Sequence, residues 1–295
     1  MKKNTQWMYP EAIVECDWLK NKLNEQNIRV FDCTTYLHYT DDNPTKPYDV
    51  ESGLKNYQLG HIPSSAFIDL QSDLSNKSSP YSFTLPSLKT LSNSFQRLGV
   101  GEQYHVILYS KNGMQWSSRI WWMLRAVGFD QVSILNGGFT EWMRLELPIE
   151  KEENVFNTSK LLFKPRLDIF VGKDAVLKAI NKKSTLLLNS LTEDIYLGNN
   201  PRYGRRGRIP NSINIPFNQL LNKKNGKLKP IEEVIEIFNK KSITSDSLIL
   251  NYCGGGIAAS LEAFVLFQLG FQKIQIYDNS MSEWAMDKEL PIEIG

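Results

Sequence analysis

One stretch of the chain combines a nucleophilic side chain with a turn rich in glycine. Residues 248–252 are an apolar run of strand length, Cys253 follows, and three glycines precede a segment with helical spacing that ends at Gly270. Glycines let successive backbone N–H groups turn inward, and a helix that starts there adds the positive end of its dipole. A thiolate at Cys253, or an anionic group on its sulfur, would be stabilised there. The alternative is an inert cysteine packed beside a flexible turn, and the loop alone leaves both open.

The chain also repeats itself, and only one copy carries this cysteine. The strand that starts at Val106 matches the strand that starts at Leu248, an offset of 142 residues (248 − 106 = 142). The same offset pairs Cys253 with Lys111, whose loop keeps only one of the three glycines. Cysteine chemistry is therefore expected in the second half alone, with the first half as support or as one wall of a cleft. Other matches are Gly128-Phe129 with Gly270-Phe271, Glu141-Trp142 with Glu283-Trp284, Gly60–Pro63 with Gly207–Pro210, and Leu147–Glu150 with Leu290–Glu293.

In both halves, short apolar segments alternate with helical segments. The strand candidates lack polar alternation, which is typical of a parallel sheet covered by helices on both faces. We therefore predict an α/β protein with two similar domains, 1–150 and 166–295, joined by a charged linker over 151–165. Sites in such sheets lie beyond the carboxyl ends of the strands, where Cys253 falls. Two local expectations are a helix over 10–27 and a loop from His38 to Tyr48 that includes Asp41–Pro44.

The composition argues against several classes of protein. The chain has 295 residues and 41% hydrophobic content, enough for two packed cores. A formal net charge of +2 gives no reason to expect nucleic acid or a membrane as the main partner. Residues 1–7 contain two lysines with no apolar run behind them, so neither a signal peptide nor a membrane anchor is predicted, and the cytoplasm is the expected compartment.

The cysteines and histidines give no sign of a disulfide framework or a metal centre. There are three of each, Cys16, Cys33 and Cys253, and His38, His61 and His105. An odd number of scattered cysteines argues against disulfides, and the histidines form no ligand pattern with them. No cofactor and no metal are expected, and the first two cysteines are predicted to be buried packing residues.

Several separate motifs occur in order along the chain: Gly60–Pro63, Arg119–Arg125, Leu135–Phe139, Cys253–Ala259, and Asp278 with Glu283-Trp284. With these motifs the chain resembles the tandem-domain sulfurtransferases, the rhodanese and 3-mercaptopyruvate sulfurtransferase group. The resemblance implies two rhodanese-like domains, of which the first is non-catalytic and the second catalytic. It also implies that Cys253 takes sulfane sulfur from a donor as a persulfide and passes it to cyanide or to a thiol, such as a small thiol or a thioredoxin-like protein. Inward N–H groups would stabilise the charge of the persulfide without a base or a metal.

The loop after Cys253 departs from both patterns of that family. Thiosulfate-preferring members read Cys-Arg-Lys-Gly-Val-Thr, and mercaptopyruvate-preferring members read Cys-Gly-Ser-Gly-Val-Thr. The resemblance places the persulfide loop at Gly254, Gly255, Gly256, Ile257 and Ala258. It has no cation for a dianionic sulfonate, and Gly255 stands where the second pattern has its serine. This loop favours 3-mercaptopyruvate as the anionic donor and keeps thiosulfate as the second candidate.

A substrate carboxylate needs a cation, and the candidates lie in the arginine cluster of residues 202–208. Arg202 is closest to a family arginine, allowing a shift of one residue, and an arginine can bind a carboxylate with two parallel hydrogen bonds. Arg206 is the second substrate-binding candidate. For Arg205, Arg206 and Arg208 the alternative is a solvated basic rim. The family carries a second arginine at the position that is Ile195 in this chain. The loss of this arginine argues for lower catalytic efficiency.

Two positions in the first half complete the comparison. His61 matches the family's histidine and is predicted to face the cleft as a substrate-binding residue, with Asp49 or Glu51 as its acidic partner. The alternative is a histidine that braces its own turn. Thr35 occupies the place where many members carry a tryptophan near the persulfide.

Other functions fit the sequence less well. A phosphocysteine phosphatase needs an arginine six positions after the cysteine, where this chain has Ala259. Three consecutive glycines do not form the spaced dinucleotide fingerprint, and no aromatic residues are interleaved with the basic ones for nucleic acid. The remaining alternative is a degenerate rhodanese-fold module that binds or regulates a partner. The changes at Gly255, Ile195 and Thr35 favour it, whereas the intact Cys253 loop opposes it.

Overall fold

Strands and helices alternate along both halves of the chain in the computed structural model, which describes residues 6–40, 46–241, 243 and 246–295. Residues 1–5 and the turn formers Asp41–Pro44 lie outside the described residues. The first half contains β1 (Ile13–Val14), α1 (Cys16–Lys22), β2 (Ile28–Asp32), β3 (Thr35–Tyr39), β4 (Tyr48–Ser52), α2 (Leu54–Leu59), β5 (Ser65–Phe67), α3 (Leu70–Asp73), α4 (Leu88–Arg97), β6 (His105–Tyr109), α5 (Gln115–Val127), β7 (Val132–Leu135) and α6 (Gly138–Arg144). The second half contains β8 (Phe170–Val171), α7 (Lys173–Ala179), β9 (Thr185–Asn189), α8 (Glu193–Tyr196), β10 (Ser212–Asn214), α9 (Ile231–Asn239), β11 (Leu248–Tyr252), α10 (Ile257–Gln268), β12 (Ile274–Tyr277) and α11 (Ser280–Trp284). Short 3-10 helices occur at Pro10–Ala12 and Phe217–Leu220.

Each half builds one five-stranded sheet in which all neighbouring strands are parallel. The strand order is β1-β7-β6-β2-β5 in the first sheet and β8-β12-β11-β9-β10 in the second. The two orders match element for element, so the repeat in the sequence is a repeat of the fold. The predicted α/β class with two tandem domains is confirmed, whereas the limits 1–150 and 166–295 stay a prediction.

The central strand of each sheet is apolar because helices cover both of its faces. In β6 and in β11, four of the five residues are buried. Each strand ends in a tyrosine that makes the same contact. The hydroxyl of Tyr109 accepts the Ile62 N–H, and the hydroxyl of Tyr252 accepts the Ile209 N–H, both at 3.2 Å. Shared contacts of this kind support the duplication independently of the strand order.

One local prediction is wrong, and a second is wrong at its ends. Residues 10–27 do not form one helix, because Ile13 and Val14 pair with β7 as an edge strand, and α1 begins only at Cys16. The loop predicted from His38 to Tyr48 overlaps an antiparallel hairpin of β3 and β4, in which Tyr39 lies opposite Tyr48. In both places sheet pairing overrides the local pattern. The hairpin has no counterpart among the described residues of the second half.

The two halves pack through equivalent helices, α5 and α10. The Trp122 indole donates to the carbonyl of Ser260 at 3.0 Å, and the Trp121 ring meets Phe264 edge-on with ring centres 4.9 Å apart. Helix α10 is apolar and buried on nearly all sides, as predicted. It ends at Gln268, and Gly270, two residues later, has a φ of +90° that suits a residue without a Cβ. The helix that follows Cys253 is therefore held by both halves.

The segment 151–165 has little regular structure and lies against the first sheet. Asn154 forms a bridge with Ala66, and the Phe156 ring packs edge-on against Phe31 with ring centres 5.2 Å apart. Packing therefore ties this segment to the first half, and its role as a linker stays a prediction.

Candidate active site

Cys253 lies where the parallel-sheet rule predicts a site, between the carboxyl end of β11 and the first turn of α10. The residue is 2% exposed, and it opens onto a cavity of about 200 Å³ between the two halves. Among the residues that the structure describes, none with a charged side chain lines this cavity. The lining residues are Leu37, Tyr39, Tyr48, Asn112, Gln115, Trp116, Leu191, Tyr203, Phe217, Cys253, Gly254, Gly255, Ile257 and Ala258.

The backbone of the loop has free donors. The N–H of Cys253 itself points away and donates to the Ser280 hydroxyl at 3.0 Å. By contrast, the N–H groups of Gly254, Gly255 and Gly256 donate to no described residue of the protein. Three successive free amides at the N-terminus of a helix are an arrangement that favours the binding of an anion. The turn closes at Gly256, which has φ of +74° and whose missing Cβ would lie 2.5 Å from the Asp278 carbonyl.

Two tyrosine hydroxyls explain why the first two loop positions are glycines. A Cβ on Gly254 would lie 1.9 Å from the Tyr203 hydroxyl, and a Cβ on Gly255 would lie 2.9 Å from the Tyr48 hydroxyl. Both tyrosines are buried. These hydroxyls therefore occupy the space that larger loop side chains would use, which gives a physical reason for the departure from Arg-Lys or Gly-Ser.

The first half supplies one wall of the cavity, as the repeat predicts. Tyr39 and Tyr48 come from the β3–β4 hairpin, and Asn112, Gln115 and Trp116 come from the loop and helix that replace the cysteine motif. Sequence reasoning missed all five residues. The only available signal was the loss of the nucleophile at Lys111. That change places the first-half loop opposite the second-half loop but does not say which of its side chains face the cavity.

A buried ion pair joins the halves directly behind the loop. The fully buried Arg119 of α5 donates to the carboxylate of Asp278, which follows β12, and to the carbonyl of Phe83 at 2.9 Å. The second oxygen of Asp278 accepts the Leu85 N–H at 2.8 Å. A Cβ on Gly256 would lie 2.8 Å from the Arg119 guanidinium, so this cation sits against the base of the loop.

The arginine cluster separates into different roles. Arg202 is half-buried, and its guanidinium lies 3.8 Å from the centre of the Tyr39 ring, at the edge of the cavity. Arg206 is exposed and does not line the cavity. Arg205 donates to the carbonyls of Trp284, Ala285, Asp287 and Leu290, and Arg208 pairs with Glu293. The structure therefore brings only Arg202 near the cavity and gives Arg205 and Arg208 structural contacts in place of a solvated rim.

His61 does not join the residues around Cys253. Its side chain is completely buried, its Nδ1 lies 2.9 Å from the Tyr57 carbonyl, and its Nε2 lies 3.4 Å from Glu150. The predicted partners Asp49 and Glu51 instead pair with Lys46 and His38. The repeat explains this placement, because Arg208 and Glu293 occupy the same positions in the second half. The expected role facing the cleft is therefore corrected to the alternative, a histidine that braces its turn.

Ile195 and Thr35, the two other positions at which the chain departs from the family pattern, are both buried. Ile195, at the expected second arginine, is 3% exposed and packs in the core, so it offers no cation to the cavity. Thr35 starts β3, and its carbonyl accepts the Asn112 amide at 2.6 Å.

Cys16 and Cys33 are buried free thiols, as predicted. Among the described residues, no three His, Cys, Asp or Glu side chains gather as a metal site requires, and no helix is long and apolar enough to span a membrane.

A buried carboxyl on the helix that follows Cys253 was also missed. Glu262 of α10 is fully buried, one of its oxygens accepts the Ser190 hydroxyl, and the other has no described partner. Burial raises the pKa of Glu262 from 4.5 to about 8. The folded state therefore holds this proton at neutral pH, whereas the unfolded chain releases it.

This carboxyl predicts a stability that falls with increasing pH. The folded protein binds one more proton than the unfolded chain between about pH 4.5 and 8. The contribution of this proton to the free energy of unfolding is therefore complete below the unfolded pKa and is lost as pH approaches 8. Glu262→Gln should remove the dependence, with a gain over wild type of roughly 1.4 kcal/mol per pH unit across that range. Urea unfolding at pH values across this range measures it. If the free energies of unfolding of the two proteins changed with pH in parallel, Glu262 would have the same pKa in the folded and the unfolded state, and the prediction would be wrong.

Comparisons with known proteins cover nearly the whole chain. The model of the rhodanese-like domain matches residues 15–145 and again residues 174–287. The chain is 30% identical to the 3-mercaptopyruvate sulfurtransferase of Escherichia coli K12 over 288 residues, covering 95% of this chain and 97% of that protein. It is 29% identical to the thiosulfate sulfurtransferase of Gallus gallus, covering 92% and 93%, and 29% identical to the 3-mercaptopyruvate sulfurtransferase of Homo sapiens, covering 93% and 92%.

Solved structures give the same result for the fold. The crystal structure of the E. coli 3-mercaptopyruvate sulfotransferase superposes with a TM-score of 0.77 at 26% identity, over 91% of this chain and 98% of that one. An anaerobic ergothioneine biosynthesis enzyme from Chlorobium limicola superposes with a TM-score of 0.78 over 98% of this chain and 71% of that one. Its identity of 19% supports likeness of fold alone.

Proposed function

The chain belongs to the tandem-domain rhodanese-like family and is a sulfurtransferase, and from this premise we propose that it carries sulfane sulfur as a persulfide on Cys253. The donor is a small anion, with 3-mercaptopyruvate favoured over thiosulfate. The acceptor is cyanide or a thiol, such as a small thiol or a thioredoxin-like protein. The free thiols fit the reducing cytoplasm, which stays the expected compartment.

The single observation that carries the proposal is the set of free amides after Cys253. The outer sulfur of a persulfide bears negative charge, and the N–H groups of residues 254–256 are available to stabilise it at the start of α10. In the first half-reaction with 3-mercaptopyruvate, the Cys253 thiolate forms a bond to the donor sulfur, the carbon–sulfur bond of the donor breaks, and its electron pair leaves on the pyruvate enolate. In the second, the acceptor attacks the outer sulfur and restores the thiolate. A two-step, ping-pong course follows.

The cavity favours a donor with a single carboxylate. Thiosulfate is a dianion, and the described lining of the cavity offers it hydrogen-bond donors but no cation. The carboxylate of 3-mercaptopyruvate needs only one cationic contact, which Arg202 can supply at the edge of the cavity. Because Arg206 is exposed, it is the weaker of the two predicted contacts.

Replacing Arg202 tests the proposed donor contact. Arg202→Ala should raise KM for 3-mercaptopyruvate about tenfold with a small change in kcat, because it removes one charge-assisted contact to the donor. Arg206→Ala is the matched control from the same cluster and should change KM by less than about twofold. Steady-state kinetics measure both. Equal KM values for Arg202→Ala and wild type would remove Arg202 from the site.

Sulfur loading by two donors tests the function itself. Wild-type protein incubated with 3-mercaptopyruvate should gain one sulfur, and thiosulfate should load it more slowly. Intact mass spectrometry follows the gain, and peptide mapping assigns it to Cys253. A protein that gains no sulfur from either donor would instead favour the alternative of a binding or regulatory module with little catalysis.

A further inference from the structure

The cavity above Cys253 is short of groups that can transfer a proton. Among the described residues that line it, none is His, Lys, Arg, Asp or Glu, and the side-chain O–H groups there are those of three tyrosines. The proposed reaction needs such a group. When the carbon–sulfur bond of 3-mercaptopyruvate breaks, its electron pair moves to carbon, and the pyruvate enolate that leaves must take one proton on that carbon.

The positions of the three tyrosines differ. Tyr39 is 49% exposed beneath Arg202, at the edge of the cavity. Tyr203 lies against Gly254. Tyr48 is 5% exposed, and its hydroxyl lies 2.9 Å from the point that a Cβ of residue 255 would occupy. Position 255 is the loop position at which the mercaptopyruvate-type pattern has a serine hydroxyl and this chain has glycine.

The surroundings of Tyr48 fix its ring and supply a second hydroxyl. The ring stacks against Phe83 with ring centres 6.2 Å apart. The Ser282 hydroxyl lies 4.0 Å from the same Cβ point, is buried, and has no hydrogen-bond partner among the described residues. Two hydroxyls therefore flank Gly255, one from each half of the chain.

The protonation state of Tyr48 suits a proton donor. Burial, with a smaller contribution from the nearby Cys253, raises the pKa of Tyr48 to about 12. The phenol is therefore protonated at neutral pH and can donate. After it has donated, a strongly basic phenolate takes a proton back from any neighbouring acid.

We propose that Tyr48, which the first-half hairpin places over the loop, is a catalytic residue that protonates the leaving enolate; this inference rests on the proposed function. The Cys253 thiolate forms the sulfur–sulfur bond, the carbon–sulfur bond breaks, and the Tyr48 hydroxyl gives its proton to the enolate carbon, which yields pyruvate. The donor's own thiol proton remains on the outer sulfur of the persulfide. That proton returns to the Tyr48 oxygen, with Ser282 as relay, and leaves the persulfide anion among the amides of residues 254–256.

The first experiment separates the two half-reactions in Tyr48→Phe. Single-turnover release of pyruvate from 3-mercaptopyruvate should slow about 100-fold, the usual scale for the loss of a general acid. Transfer of sulfur from the loaded variant to cyanide should keep its wild-type rate, because cyanide attacks the outer sulfur and releases thiocyanate without a proton transfer. Tyr36→Phe, on the same hairpin but outside the cavity lining, is the matched control and should slow neither step.

The second experiment removes the hydroxyl of Tyr48 and introduces a serine hydroxyl at loop position 255. With the Tyr48 hydroxyl removed, the nearest remaining atoms to a Cβ at position 255 are Phe83 Cδ2 at 3.9 Å and Ser282 Oγ at 4.0 Å, which are ordinary contact distances. Gly255 also lacks a positive φ. The double variant Tyr48→Phe/Gly255→Ser should therefore fold and should recover at least about tenfold of the lost loading rate. Gly255→Ser alone places its Cβ against the Tyr48 hydroxyl and should lower the rate.

The outcomes separate this inference from the proposed function. If wild type loads sulfur and Tyr48→Phe releases pyruvate at the same rate, the role of Tyr48 is overturned while the proposed function stands. If loading and cyanide transfer slow by the same factor and the double variant recovers nothing, Tyr48 acts only through packing, and the inference again fails. If wild type loads from neither donor, the proposed function fails and the inference fails with it.

Discussion

Cys253→Ser should abolish sulfur loading and turnover, with a fall in kcat of at least about 10³-fold. A serine hydroxyl has nearly the shape of the thiol, so the loop and the cavity should persist, but at neutral pH it is not ionised and cannot accept the sulfur. Intact mass after incubation with 3-mercaptopyruvate measures the loss, and an unchanged urea midpoint shows that the fold remains.

The other two cysteines provide the matched controls. Burial raises the pKa of Cys16 to about 12 and that of Cys33 well above its usual range, so both thiols stay protonated and are poor nucleophiles. Cys16→Ala should still gain one sulfur from the donor. A loaded peptide that contains Cys16 or Cys33 in the Cys253→Ser protein would contradict the assignment of the nucleophile.

Arg119→Met should be the most destabilising single change at the contact between the halves, with a loss of about 3–5 kcal/mol in the free energy of unfolding. The methionine fills a similar volume but leaves the largely buried Asp278 carboxylate without its cation. Activity should fall as well, because the guanidinium lies against Gly256 at the base of the loop. Urea unfolding measures the first effect and steady-state kinetics the second.

A double variant distinguishes the loss of the ion pair from the loss of side-chain packing. Arg119→Met/Asp278→Asn removes both charges and should recover part of the stability, because no buried charge remains unpaired. Arg125→Met is the matched control on the same helix: Arg125 is partly exposed and pairs with the exposed Asp130, so its loss should cost at most about 1 kcal/mol. A cost of similar size for Arg119→Met would mean that the pair contributes no more than a surface contact.

The sequence predicted the elements whose patterns are strong and local. The strand before Cys253, the buried helix after it and the stop at Gly270 follow from apolar runs and glycine, and the structure confirms them. The repeat predicted two sheets of one topology for the same reason. Strand β1 was missed because Val14 fits a helical pattern, and only the edge of β7 determines that it pairs as a strand.

The cavity was harder to predict because its wall comes from contacts distant in sequence. Tyr48 and Tyr203 face the glycine loop from two different halves, and no spacing in the chain relates them to Cys253. Their only trace in the sequence is indirect, since the loop has glycines where larger side chains are expected. His61 illustrates the opposite error, in which a motif was taken as functional although its repeat partner Arg208 makes the same structural contact.

Under the proposed function, the β3–β4 hairpin has a consequence for the lifetime of the persulfide on Cys253. It places two aromatic rings above Cys253, so bulky reductants meet tyrosine before they can reach the nucleophile. A second half produced without the first would hold the same nucleophile at an open surface, exposed to every soluble reductant. Under the proposed function, the first half thus shields the persulfide, and the duplication would favour delivery of the sulfur to a chosen acceptor over its loss to the surrounding medium.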